Sequence, residues 1–481
     1  MGAEGGSQRN RLRLGDWSHR IGKVSGVYER RGLDQKNLSQ LRTHHMRNRS
    51  LPAHAFRSAC ALLAALTCAA HVSAATNQSL VLQAKHQPAA VNIAIGTGKT
   101  QQIMDGANLM IDKPAAEGGQ VQVARDGGAV SVHWKESWTS ALRFDTSGTD
   151  LRPFIRHGVV ALDLKVTELA KGGLTFKVRC GDQCERKVPY VLQGRALQGK
   201  GWRSLAIPVS CFVRDGDDFS AIRQPFALDL EGSGKLAVRN VRFAARGRAN
   251  VSCANYKTVS MTPDTLNESW STEWWLPRHL KKLEEIRSLK ASGKNAEVVF
   301  IGDSITEGWE KEGKTVWDAN YARYNALALG FGGDRTENVL WRLQHGEVDG
   351  IAPKVAVLMF GTNNTGHRME DPVTTAAGIK RNIDELRQRL PNTKILLLAI
   401  FPREADADAP MRWLNEQINR IIAGFADGKH IIFADLNQAM LESDGTLSRD
   451  IMPDLLHPNE RGYAIWARAL NPHLHRLLEQ D

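Results

Sequence analysis

The chain of 481 residues has no uninterrupted apolar run of the roughly 20 residues that a stable membrane span requires. Its longest, ACALLAALTCAA at 59–70, is too short to stay in a bilayer. Cysteine is scarce as well. Of six, Cys60 and Cys68 fall inside that run, leaving Cys180, Cys184, Cys211 and Cys253. An even number in an oxidising compartment reads as two disulfides. We expect Cys180 to bond Cys184 across a small loop and Cys211 to bond Cys253, which leaves no catalytic thiol. The C-x-x-x-C of the first pair is the alternative start of a zinc site, but no second close cysteine pair accompanies it. Basic charge is thinner than the net +11 suggests. Twelve Lys and Arg against four acids precede residue 75, so the remainder holds 51 basic and 48 acidic residues, a balance of about +3. That excludes the broad cationic surface by which nucleic acid is bound.

Residues 1–45 lack any periodic apolar pattern and read as a disordered leader or as an over-read of the start codon. Residues 46–74 have an Arg-bearing start, the apolar run and then the small residues of Val72-Ser73-Ala74, which is the pattern of a secretory signal. The mature protein is therefore expected to begin near Ala75 and to be secreted, periplasmic or otherwise extracytoplasmic. A lipid anchor at Cys68 is disfavoured, because Leu66 and Thr67 are not the small residues such a site needs.

Two patterns follow. From 75 to 256, short runs alternate apolar and polar residues between Gly, Asp and charged turns: AVSVHW (129–134), VVALDLKV (159–166), LTFKVRC (174–180), 203–209, 226–230 and KLAVRNVRF (235–243). Period-two alternation at this spacing predicts an antiparallel β-sandwich. It contains no catalytic constellation. The stretches RCGDQC, GWRSLAIPVSCF and PFALDLEGSGKLAVRNVRF resemble the galactose-binding-like sandwich of bacterial family 3 exo-glucanases. That resemblance implies either sugar binding or a purely structural role. Trp134, Trp138 and Trp202 supply rings that can stack on a sugar, although burial is the expected fate of at least two. A polar linker, 257–273, comes next.

From 274 to 481 strands and helices alternate, as in a doubly wound α/β domain of flavodoxin-like, three-layer form. Helices are expected at 277–290, 336–344, 373–390, 411–425 and 459–478, with strands at 298–301, 326–329, 355–360, 395–400 and 431–434. Val298, Val299, Phe300 and Ile301 are apolar throughout, as a strand buried on both faces should be. The strand ends in Gly302-Asp303-Ser304, at the edge of the sheet where ligands bind. Asp303 and Ser304 can be simple helix caps, so the signals downstream decide the reading: GFGGDRT (330–336), GTNN (361–364) and Asp454-Leu455-Leu456-His457.

With these four stretches in this order, the half from 274 resembles the SGNH (GDSL) hydrolase superfamily, in its platelet-activating-factor acetylhydrolase-like branch. The resemblance implies that Ser304 is the nucleophile, His457 the base and Asp454 its orienting acid. It implies an oxyanion hole made by the backbone N–H groups of Ser304 and Gly333 with the Asn363 amide, and supporting-loop roles for Asp303 and Asp334. The scheme needs no metal and no organic cofactor. The expected protein is thus a serine esterase that removes short acyl groups, acetyl above all, from a carbohydrate. The alternatives are a lipid acylhydrolase or thioesterase, and a non-catalytic carbohydrate-binding surface protein. The partners implied are an acylated carbohydrate or another short-acyl ester, with no nucleic acid and no stable membrane insertion. The acyl pocket is expected to be lined by loops around Trp309, Tyr321, Arg368 and Arg403. Acyl-chain length, natural substrate and oligomeric state do not follow from the sequence.

Overall fold

The computed structural model describes residues 78–479 apart from 85, 87, 170, 182 and 183. The expected leader and signal, 1–45 and 46–74, lie outside the described residues. The first half is antiparallel. Its strands are β1 (Ser79–Val81), β2 (Val91–Thr97), β3 (Thr100–Ile103), β4 (Asn108–Asp112), β5 (Gln120–Asp126), β6 (Ala129–Thr146), β7 (Val159–Glu168), β8 (Gly173–Gly181), β9 (Cys184–Pro189), β10 (Trp202–Pro208) and β11 (Gln224–Ala244), with a short helix α1 (Val191–Ala196) before β10.

Two long strands make the sandwich. Residues 224–231 of β11 pair with β8, whereas 235–244 pair with β7. Its neighbour β6 switches likewise, pairing with β5 through its first half and with β2 through its second. Both strands therefore belong to two sheets and turn the corner together, where the register shifts around Gly232, opposite Ser137. Gly232 has φ +74°, a conformation a side chain rarely adopts, so the corner falls where no Cβ resists it. The runs expected separately at 226–230 and 235–243 are for this reason one bent strand and not two joined by a turn. Between the sheets lies one core, in which Trp134, Phe144, Phe176, Phe226 and Phe243 are fully or nearly fully buried. Cys180 is bonded to Cys184 and Cys211 to Cys253. Among the described residues, the one group of potential metal ligands is Cys180, Cys184 and Asp217, and its two sulfurs are bonded to each other.

The second half starts with α2 (Trp275–Ala291), then β12 (Val298–Gly302), α3 (Ser304–Glu307), α4 (Lys314–Asn320), β13 (Leu327–Gly330), α5 (Thr336–Gln344), β14 (Val355–Met359), α6 (Thr362–Arg368), α7 (Pro372–Arg389), β15 (Lys394–Leu398), α8 (Pro410–Ala423), β16 (Ile431–Ala434) and α9 (Glu460–Glu479). The five strands are parallel in the order β13-β12-β14-β15-β16. All five residues of β12 are buried because helices cover both faces. Val298 and Phe300 point into a core with Trp309, Tyr463 and Trp466, whereas Val299 and Ile301 point into another with Val339, Ile383 and Ile418. This three-layer arrangement is why the strand reads as a continuous apolar run. Strand order reverses beside β12, and the loops after β12, β13 and β14 meet at that switch point, where a ligand crevice forms.

The stretch 257–273 between the halves is anchored at several points. Ser260, Leu266, Ser269 and Ser271 are buried. Ser260 accepts the Thr336 hydroxyl through its carbonyl and donates its own hydroxyl to Glu370, while Glu268 pairs with Arg335 at 2.9 Å. On the other side, Ser269 donates to the Glu231 carboxylate of β11, and Arg214 donates to the Arg368 carbonyl at 3.3 Å.

Candidate active site

The strand β12 is followed by Asp303, whose carboxylate accepts the Ile305 N–H at 3.0 Å and so starts α3. This cap turns the chain sharply and leaves Ser304 at the sheet edge. Its hydroxyl lies 2.8 Å from His457 Nε2. His457 comes from the segment before α9, more than 150 residues away in the chain. There the Asp454 carboxylate has two tasks: one oxygen accepts the N–H groups of Leu456 (3.0 Å) and His457 (2.7 Å), and the other accepts His457 Nδ1 at 2.6 Å. One side chain thus shapes the turn and orients the imidazole. With its Nδ1 proton held by a carboxylate, the neutral ring presents Nε2 to Ser304 as an acceptor. Burial acts to raise the Asp454 carboxyl, but the bonds from His457 and the Leu456 N–H outweigh it and hold the group below its ordinary value.

Gly333 follows β13 with φ +74°, and a Cβ there would collide with the ring of Trp270. Among the described residues, the backbone N–H groups of Ser304 and Gly333 have no protein acceptor. Asn363, in the first turn of α6 after β14, donates its amide to the Asp334 carbonyl at 3.0 Å, which leaves a second amide proton. The structure thus brings Ser304, His457 and Asp454 together, and joins Asn363 to the loop that carries Gly333 through the Asp334 carbonyl. Asp334 is fully buried beneath the loop, where it accepts Trp275 Nε1 (2.6 Å) and Arg342 Nε (2.7 Å). Arg342 also donates to the carbonyls of Gly302 and Leu329, pairs with Glu347 and lies 4.0 Å over the Phe331 ring. One guanidinium therefore ties the ends of β12 and β13 together. Burial pushes the Asp334 carboxyl up to about 7 against the pull of Arg342, and pushes Asp303 up to about 6. Both aspartates brace the loops from behind the site.

In front of Ser304 is a cleft of about 600 Å³, walled by Trp274, Arg278, Lys281, Glu307 and Lys311. Of the four loops expected to line it, the one around Trp309 does so through Glu307 and Lys311, but none of Trp309, Tyr321, Arg368 and Arg403 is itself a wall. Trp309 and Tyr321 have no exposed surface and belong to the aromatic core behind α3. Arg368 is taken up by Glu337 and Glu370, and Arg403 donates to the Thr362 carbonyl at 2.9 Å. Trp274, a wall that was missed, and Trp270, whose ring lies on Gly333 and against Trp274, sit in or beside the polar connection, where no periodicity marks a side chain as facing a cleft. In the sandwich, Trp134 is buried, the Arg239 guanidinium lies 4.3 Å over Trp202, and Trp138 is exposed.

Residues 300–465 match the model of the GDSL-like lipase/acylhydrolase family, and residues 88–243 match a galactose-binding domain-like family. The chain is 38% identical over 189 residues to human platelet-activating factor acetylhydrolase IB subunit alpha1, covering 39% of this chain and 79% of that protein. Among solved structures, it is similar to the extra C-terminal domain of an exo-1,3/1,4-β-glucanase from a Pseudoalteromonas species (16% identity, TM-score 0.30, 36% of this chain and 99% of that one). It is also similar to an acetylxylan esterase from Geobacillus stearothermophilus (21% identity, TM-score 0.32, 39% and 96%).

Proposed function

Since the chain belongs to the GDSL-like lipase/acylhydrolase family and is a carboxylic-ester hydrolase, we propose that it removes acetyl and other short acyl groups from carbohydrate outside the cytoplasm, by a Ser-His-Asp mechanism. The observation that carries the mechanism is the Ser304–His457–Asp454 relay, with contacts of 2.8 and 2.6 Å. Ser304 Oγ attacks the ester carbonyl as His457 Nε2 takes its proton. His457 then returns that proton to the departing alcohol, and water repeats the sequence on the acyl-serine. Asp454 stabilises the imidazolium and holds its tautomer. In this reading the N–H groups of Ser304 and Gly333, with the Asn363 amide, stabilise the negative oxygen of the tetrahedral intermediate.

The carbohydrate half of the reading is supported by the galactose-binding domain-like region and by the cleft itself, whose walls carry three cations and one carboxylate beside a single indole. Two disulfides and the signal-like segment support an extracytoplasmic location. The identity to a platelet-activating factor acetylhydrolase favours a second reading, in which the acetyl group leaves a lipid. Ser304→Ala and His457→Ala should each lower hydrolysis of nitrophenyl acetate by several orders of magnitude, since triad members act as a unit. Activity of Ser304→Ala within a few fold of wild type would remove it as nucleophile. Rates on acetylated xylo-oligosaccharides against acetylated phospholipid decide between the two substrates.

A further inference from the structure

Two indole rings at the edge of the cleft, one exposed and one half-buried against Leu266, Trp275 and Phe331, are firmly held. Trp270 is 41% exposed, yet its ring lies against the backbone of Gly333, so closely that only glycine fits there. Trp274 walls the cleft and approaches Gly332, with a ring atom 3.4 Å from where a Cβ would be. The rings stack on each other at 27° with centroids 6.3 Å apart. Trp274 Nε1 donates to the Trp270 carbonyl at 2.8 Å, so that N–H is already satisfied.

The turn that carries the pair is anchored on both sides. Ser271 is buried and its hydroxyl donates to the Leu266 carbonyl at 2.7 Å. Glu268 pairs with Arg335 of the α/β half, and Ser269 donates to Glu231 of the sandwich. An aromatic ring held in place on a fixed turn can take a ligand's apolar face at little further cost in ordering.

We propose that Trp270 and Trp274 form the aromatic wall against which the sugar ring of the substrate packs, and that the sandwich takes part in catalysis by holding Trp270 in place through Glu231 and Ser269. The proposal rests on the carbohydrate reading and names the subsite for it. A pyranose has an apolar face of C–H groups and a rim of hydroxyls. It can therefore contact an indole while hydrogen-bonding to Lys281, Lys311 and Glu307 across the cleft. A hydrocarbon chain in the same position would displace water from those charged heads and return no hydrogen bonds.

The test uses the full chain with Trp270→Ala, Trp274→Ala and Trp270→Phe, assayed on an acetylated xylo-oligosaccharide, nitrophenyl acetate and nitrophenyl octanoate. For each alanine variant, kcat/KM on the sugar ester should fall about tenfold further than on nitrophenyl acetate, as loss of an aromatic contact predicts. The loss should appear mainly in KM, with Trp270→Phe recovering part of it. Calorimetry should show unacetylated xylohexaose binding to Ser304→Ala and its loss when Trp270→Ala is added. Equal losses on both esters would overturn the proposal, as would a gain on the octanoate, which would make the pair an acyl wall. A wild type that deacetylates the sugar with variants unchanged defeats the subsite alone. A wild type active only on nitrophenyl acetate defeats the carbohydrate reading and the subsite with it.

Discussion

Burial sets the protonation of Asp303, one residue before the serine. Its carboxyl is pushed up to about 6 from an ordinary 3.8, so the folded protein keeps a proton that the unfolded chain releases above about pH 4. The stabilisation is fully present below that value and is lost as pH rises through 6, at a cost on the order of 3 kcal/mol. Asp303→Asn keeps an oxygen to accept the Ile305 N–H but has nothing to titrate. Melting temperatures between about pH 4 and 8 should therefore decline less steeply for the variant than for the parent. Parallel profiles would place the titration elsewhere, with Asp334, pushed up to about 7, the next group to replace. At this scale much was legible in advance. Ser304 could be proposed from the Gly-Asp-Ser motif, and Asp454 and His457 from the D-x-x-H motif they share. The role of Asp334 as partner of Arg342 and Trp275 could not, since those residues come together only when β12, β13 and α5 pack.

Among the elements, the sandwich depends on two strands that serve both sheets and on one long covalent tie. Cys211 follows β10 and Cys253 follows β11, and the bond between them closes a loop across 42 positions of sequence. Chain-entropy arguments value such a closure at about 3 to 4 kcal/mol. Replacing both cysteines by serine should lower the urea midpoint accordingly. Replacing Cys180 and Cys184 should lower it less, because their loop spans four positions. Equal shifts for the two pairs would show that loop length does not control the effect. The five strands and five long helices of the α/β half were readable to within a few residues, because burial on two faces or one imposes a clear period, whereas the short helices α3, α4 and α6 have too few turns to show one. The sandwich was less so. The alternation that marked 129–134 as a strand continues in structure to Thr146, and the glycines at 232 and 234 that looked like a turn form a corner within one strand.

For the molecule as a whole, the connection 257–273 decides how the halves depend on each other. It buries Leu266 against Trp275 and Phe331, and it reaches the sandwich through Ser269. A fragment comprising 257–481 retains every group placed around Ser304 but loses Glu231. It should hydrolyse nitrophenyl acetate with a kcat/KM closer to that of the full chain than its kcat/KM on an acetylated oligosaccharide. A fragment equal to the full chain on both would leave the sandwich no part in substrate handling. The sequence by itself determined the two architectures and their order, because these follow from period and spacing, and its short motifs marked the residues proposed for the relay, because such motifs survive as local patterns. Only the tertiary structure decided what stands around the serine. Trp309 and Tyr321 went into the core while Trp274 came to the cleft and Trp270 to the Gly333 backbone beside it, since which face of an irregular segment meets solvent depends on the neighbours that cover the other.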